Sequence, residues 1–183
     1  MVYVFEGPRN SGKTFLSKII SSSFGIPRFQ FDFSGSFKML NLDSKSREAH
    51  SFAMGKELML MQLTKDLNKS IPRFIHDRGI LSVLTWGILE NRISKSQALS
   101  QLDYVINANL LDHTQVIYIL GKNPQKRVMK KDDWDFAEMS TKESDIYDLL
   151  LSKFPKNNLS IFHNSFDTES IENIKNLFSE NLI

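Results

Sequence analysis

Residues Gly7-Pro8-Arg9-Asn10-Ser11-Gly12-Lys13-Thr14 stand in the order G-x-x-x-x-G-K-T. That spacing cradles phosphate. Glycines let the backbone curl tightly, so that several N–H groups point inward at an anion. Lys13 is placed to reach the β- and γ-phosphates of a triphosphate, and the Thr14 hydroxyl to ligate Mg²⁺. ATP and Mg²⁺ are therefore the expected cofactors. Lys13 is expected to face solvent when the loop is empty, so that removing it should spare the fold. A second reactive pair, Asp77-Arg78, closes an apolar run. The aspartate could hold Mg²⁺ directly or through water, or act on an acceptor hydroxyl. The arginine could neutralise phosphates being joined. Asp32 and Phe33 close another run and offer a carboxylate and a ring for stacking.

These groups need a scaffold that brings strand ends together. Val2-Tyr3-Val4-Phe5 reads as a strand feeding the glycine loop, and Phe15 to Ser22 continues as a helix. Arg28-Phe29-Gln30-Phe31-Asp32-Phe33 alternates and reads as a second strand, with Ser34-Gly35-Ser36 as the loop that ends it. Ser44 to Leu67 carries a helical pattern with Ala49, Phe52, Ala53, Leu60, Leu63 and Leu67 on one face. Met54, Met59 and Met61 read as packing. Arg47 and His50 fall on the polar side, where they could grip an acceptor phosphate or form a solvated face. Pro72 to Asp77 reads as a third strand, Ile80 to Leu89 and Ser94 to Leu111 as helices, and Thr114 to Leu120 as a fourth strand. Pro124 to Lys131 reads as a short basic helix, Thr141 to Phe154 as a further helix, Leu159 to His163 as a last strand and Ser170 to Leu182 as a closing helix. Strands alternating with helices predict an α/β fold around a parallel sheet. In such sheets ligands bind beyond the carboxyl ends of the strands, where Asp77 and Asp32 lie.

Composition sets bounds. The chain has 183 residues and no cysteine, which suits one domain over 1–183 and excludes disulfides and thiolate metal sites. No secretory signal or apolar run of about 20 residues is visible, so no membrane partner and a cytoplasmic location are expected. A net charge of +2 is too small to argue for nucleic acid by itself. Most of the 14 phenylalanines are expected in the core. His76, His113 and His163 show no metal spacing and read as structural.

The motifs also resemble a known family. Phe5-Glu6-Gly7 running into the phosphate loop resembles the start of thymidylate kinases. The segment Asp77-Arg78-Gly79-Ile80-Leu81-Ser82-Val83-Leu84-Thr85-Trp86 is similar to their Asp-Arg-Tyr-x-x-Ser-x-x-Ala-Tyr. The related deoxyribonucleoside kinases carry Glu-Arg-Ser there. Leu120-Gly121-Lys122-Asn123-Pro124 resembles the strand leading into the family's lid. Lys126, Arg127, Lys130 and Lys131 occupy the lid position, and Asp135-Phe136-Ala137-Glu138 resembles the lid's end. The resemblance implies a three-layer αβα sandwich with a five-stranded parallel sheet and a short basic lid at about 122–138. It also implies ATP with Mg²⁺ and a nucleotide or nucleoside acceptor. Asp77 and Arg78 would sit at the reacting centre, with Ser82 and Trp86 facing the acceptor base. Arg9 or Arg127 would supply an additional cation.

Departures from the pattern leave the acceptor open. Thymidylate kinases usually carry Arg-Glu-Pro after the second strand, where the arginine grips the acceptor phosphate. Here Asp32-Phe33-Ser34 stands in its place. A carboxylate suits a hydroxyl acceptor as base or orienter. Gly79 replaces a tyrosine and leaves more room, and Phe136 replaces the lid-end arginine. Arg9 resembles an arginine that some members place inside the phosphate loop. The expected function is an ATP-dependent kinase acting on a nucleotide or nucleoside. The alternatives are a kinase for a hydroxyl on DNA, either a polynucleotide end or a hydroxymethylated base, and a nucleotide-binding switch NTPase. Monomer and homodimer both remain open.

Overall fold

In the computed structural model the described residues are 1–67, 73–121 and 134–180. Five strands form one all-parallel sheet: β1 (Val2–Glu6), β2 (Arg28–Phe29), β3 (Phe74–Asp77), β4 (Thr114–Gly121) and β5 (Leu159–Asn164). Their spatial order is β2-β3-β1-β4-β5. Among the described residues seven α-helices connect them: α1 (Lys13–Phe24), α2 (Phe33–Met39), α3 (Arg47–Leu67), α4 (Ile80–Leu89), α5 (Lys95–Asn107), α6 (Trp134–Leu151) and α7 (Thr168–Glu180). None of the described helices is long and apolar enough to cross a membrane.

Alternation along the central strands builds the layers. Val2 and Val4 of β1 and Val116 and Tyr118 of β4 join a core with residues of α3, α4, α5 and α6. Tyr3, Phe5, Ile117 and Ile119 point to the other face, against Leu16 and Ile20 of α1 and Ile174 and Phe178 of α7. Period-two alternation with apolar residues on both faces is what a sheet covered by helices on each side requires. The fold is the three-layer αβα sandwich the sequence predicts. Strand order reverses at β1, with β3 on one side and β4 on the other. The loop after β1 therefore opens onto the switch point of the sheet.

Several local expectations change. The second strand stops at Phe29, and α2 begins at Phe33. Asp32 is the cause: its Oδ1 accepts the Gly35 backbone N–H at 2.9 Å, so it caps a helix where alternation predicted strand and loop. On α3 the buried face is Ala49, His50, Ala53, Met54, Glu57, Met61 and Thr64. Leu63, Leu67 and Met59 are exposed, and His50 is 2% exposed rather than on a polar face. α6 begins at Trp134, earlier than Thr141. Helix α5 does start at the expected place, because Ser94 and Gln97 form a reciprocal capping box. The proposed basic helix at 124–131, with Lys126, Arg127, Lys130 and Lys131, lies outside the described residues. Of the expected lid only the backbone from 134 onward is described.

Candidate functional site

The loop between β1 and α1 is held by close contacts that only glycine permits. Gly7 has φ +137°, and a Cβ there would sit 2.4 Å from the Ile119 carbonyl oxygen of β4. Gly12 has φ +93°, and its Cβ would lie 2.2 Å from Asn164 Nδ2. Asn164, at the end of β5, donates from Nδ2 to the Ser11 carbonyl at 2.9 Å and accepts the Phe166 N–H at 3.0 Å. The phosphate loop is thus pinned to β4 on one side and β5 on the other. Gly7→Ala should lower the melting temperature and weaken ATP binding at least about tenfold, because a strand carbonyl cannot move aside. Thermal unfolding and calorimetry check this.

Lys13 is 3% exposed, which corrects the expectation of a solvent-facing cation. Its Nζ donates to the Pro8 carbonyl at 2.6 Å and approaches Ser11 Oγ at 3.4 Å. The loop folds its lysine back into the cradle. Burial, with the like charge of Arg78 as a second cause, lowers its pKa from 10.5 to about 7. Thr14 is half-buried on the first turn of α1. It lines a cleft of about 450 Å³ together with Asn10, Lys13, Phe15, Arg78 and Phe166.

Asp77 ends β3, 2% exposed. Its Oδ2 accepts from an Arg28 guanidinium N–H at 2.5 Å, while its Oδ1 is buried with no hydrogen-bond partner among the described residues. Arg28 also donates to Ser17 Oγ of α1 at 2.9 Å and to Gln30 Oε1 at 2.8 Å. It links the phosphate-loop helix, the carboxylate and the chain beyond β2. Sequence reasoning missed Arg28, since at the head of an alternating strand it looks like surface charge. Arg78 adopts φ +76°, a left-handed conformation costly for a side-chain-bearing residue. Its N–H bonds the Phe5 carbonyl at 3.1 Å.

Glu6 is the second residue the sequence marked only as part of a pattern. It is fully buried and accepts from the Gly79 N–H at 2.9 Å, the Ser82 N–H at 3.1 Å, the Ser82 hydroxyl and the Tyr147 hydroxyl at 3.1 Å. A carboxylate on these N–H groups caps the N-terminus of α4 and fixes the Asp77-Arg78-Gly79 turn. Burial pushes its pKa up, and the bonds from Ser82 and Gly79 oppose that. Gly79 has no room for a side chain: a Cβ would meet Val4 at 2.6 Å.

A second cleft, of about 600 Å³, lies beside the first. Phe33, Phe37 and Trp86 give it aromatic walls, and Asp32, Ser82 and Arg78 add polar groups. Lys56 of α3 braces the β2–α2 segment, with Nζ 4.8 Å from the Phe31 ring centre and 5.3 Å from that of Phe33. Arg9 lies with Cζ 4.1 Å from the centre of the Trp86 ring and pairs with the buried Glu143 at 3.6 Å. Arg47 is exposed at the start of α3, away from the described lining of this cleft, and Arg92 stands in the lining instead. Arg78 lines both clefts. Arg127 lies outside the described residues.

No known family pattern and no curated protein matches the sequence. The fold does match solved structures. A thymidylate kinase from Candida albicans superposes with a TM-score of 0.65 at 18% identity, over 98% of this chain and 92% of that one. A deoxyadenosine kinase from M. mycoides with bound dATP gives 0.63 at 17%, over 98% and 100%. A thymidylate kinase from Ehrlichia chaffeensis gives 0.61 at 19%, over 97% and 98%. These neighbours are P-loop kinases, and this chain shares their fold.

Proposed function

We propose that residues 1–183 form a single P-loop kinase domain that moves the γ-phosphoryl group of ATP to a nucleotide or nucleoside. One observation carries this reading: Arg78 lines both the phosphate-loop cleft and the aromatic cleft. A cation shared by two adjoining clefts stands where a donor phosphate and an acceptor would meet. Gly7 to Gly12 supply the N–H cradle, with Lys13 and Arg78 neutralising charge on the moving group. Phe33 and Trp86 flank the acceptor ring and Ser82 borders it. Arg9, stacked on Trp86, is the additional cation.

Mg²⁺ fits the residues present. Asp77 Oδ1 is a buried carboxylate oxygen without a hydrogen-bond partner among the described residues, and Thr14 borders the same cleft as Arg78. Asp77 and Thr14 would hold the ion, which supplies charge neutralisation on the phosphates. Arg28 holds the other Asp77 oxygen and so sets the carboxylate's orientation. Arg28→Ala should lower kcat at least about tenfold with ATP affinity little changed, the signature of a positioning group. Steady-state kinetics beside ATP calorimetry check it, and an equal loss of ATP affinity would assign Arg28 to the donor site.

The acceptor class is read by offering nucleosides, nucleoside monophosphates and DNA ends or hydroxymethylated DNA with labelled ATP. Transfer to a nucleoside or monophosphate supports the reading, and transfer to DNA alone overturns it. Asp32→Asn then separates acceptors. Loss of kcat marks a hydroxyl acceptor that Asp32 orients, whereas an unchanged kcat leaves Asp32 as the cap of α2. A cytoplasmic location belongs to the same proposal; monomer and homodimer are alternatives that sedimentation velocity distinguishes.

A further inference from the structure

One face of α6 meets both halves of the site. Glu143 and Tyr147 stand four residues apart, so they project from the same side of the helix, and both are fully buried. The Tyr147 hydroxyl bonds Glu6 at 3.1 Å and lies 2.9 Å from Ser82 Oγ, which ties α6 to the turn that carries Arg78 and Gly79. Glu143, one helical turn earlier, meets the phosphate loop. Its Oε2 accepts the Arg9 backbone N–H at 3.0 Å and lies 3.6 Å from Arg9 Nε. Its Oε1 is buried with no hydrogen-bond partner among the described residues. Taking a carboxylate fully out of water is costly unless a cation and an N–H donor hold it, and Arg9 supplies both. Arg9 in turn has its Cζ 4.1 Å from the centre of the Trp86 ring, where the ring face attracts a guanidinium. Trp86 lines the aromatic cleft, and Asn10, the next residue of the loop, lines the phosphate cleft. Arg9 therefore stands at the seam between the two clefts.

We propose that Glu143 is a positioning residue for phosphoryl transfer that acts through Arg9: it fixes the arginine between the phosphate loop and the Trp86 wall, and so sets how donor and acceptor face each other. This inference rests on the nucleotide or nucleoside kinase reading. Glu143 holds Arg9 twice, by its backbone and by its guanidinium, so neither the loop nor the side chain can shift alone. The Trp86 contact carries that restraint to the acceptor side. Tyr147 anchors the same helix face to Glu6, which caps α4, so the clamp on the loop and the cap of the acceptor-side helix share one rigid support. Glu143 itself lines neither cleft among their described residues, which makes its role one of placement rather than contact with substrate.

The test measures kcat at saturating acceptor, and ATP affinity by calorimetry, in the wild type, Glu143→Gln, Arg9→Met and the double variant, with nucleosides and nucleoside monophosphates as acceptors. Glu143→Gln keeps an oxygen for the Arg9 N–H and removes only the charge. It should lower kcat at least about tenfold, the scale for misplacing groups around a reacting centre. ATP affinity should stay unchanged or rise, because a negative charge that acts on Lys13 is gone. In the Arg9→Met background the same substitution should change kcat less than about twofold, since a residue that works through Arg9 has nothing left to position. A purely structural role would lower kcat and ATP affinity together and would add its full factor to that of Arg9→Met. If Glu143→Gln does not fold, Glu143→Asp keeps the charge, draws it back by one methylene, and should show the same split at smaller size. An unchanged or raised kcat in the single variant, parallel losses of kcat and ATP affinity, or additive factors in the double variant would overturn the inference and leave the kinase reading standing. A wild type that binds ATP and transfers to none of the acceptors removes the kinase reading and the inference with it.

Discussion

Lys13→Met lowers phosphoryl transfer about 100- to 1,000-fold, the scale for removing a preorganised cation from a transferring group. The buried position adds a proton signature. In the empty protein the Lys13 pKa is lowered to about 7, first by burial and then by Arg78. Triphosphate charge favours the ammonium form and raises that pKa in the complex. Binding above pH 7 therefore takes up a proton, and ATP affinity falls as pH rises from about 7 toward the bound-state pKa. Calorimetry in buffers of different ionisation enthalpy reads the uptake, which Lys13→Met abolishes. Stability runs the other way. The unfolded lysine keeps its ordinary 10.5, so between about pH 7 and 10.5 the unfolded chain holds more protons. The wild-type fold thus gains stability as pH rises through that window. Lys13→Met lacks that gain. Near-normal transfer by a folded Lys13→Met protein would refute the phosphate-loop assignment.

Asp77→Asn carries the second large effect. It should cut kcat at least about 100-fold, in line with loss of a metal-site or general-base group, and alter ATP affinity far less. The asparagine oxygen can still accept from Arg28, so the turn keeps one of its ties while the buried charge is gone. The double variant with Arg28→Ala separates two roles. If Asp77 served only to hold Arg28, the double variant would be no slower than Arg28→Ala alone. The proposed role instead makes it at least as slow as Asp77→Asn.

The sheet and the phosphate loop were readable because both are local. Val2 to Phe5, Thr114 to Leu120 and the glycines of Gly7 to Gly12 carry their signal within a few residues. The five-stranded parallel sheet, implied by the family resemblance, stands in the fold. What escaped was decided by side-chain contacts, some within a few residues and some across the chain. The Asp32 side chain bonds a backbone N–H three residues on and turns an alternating run into a helix start. Arg28 meets Asp77 49 residues away, and Glu6 meets Ser82 76 residues away. Lys13 is buried because its own loop folds over it, which spacing does not reveal. Arg47, which could have gripped an acceptor phosphate, is exposed at the start of α3, and it is Arg92, in the turn after α4, that lines the aromatic cleft.

The most direct test of the central claim follows γ-labelled ATP through turnover with a nucleoside or nucleoside monophosphate present. On the proposed reading Asp77, Arg78 and Lys13 join donor and acceptor, so ADP should form in step with phosphorylated acceptor, one for one, and slow to a trickle when the acceptor is withheld. ADP released at the same rate with or without acceptor, and with the label appearing as inorganic phosphate, would contradict a kinase and leave a nucleotide-hydrolysing switch in its place.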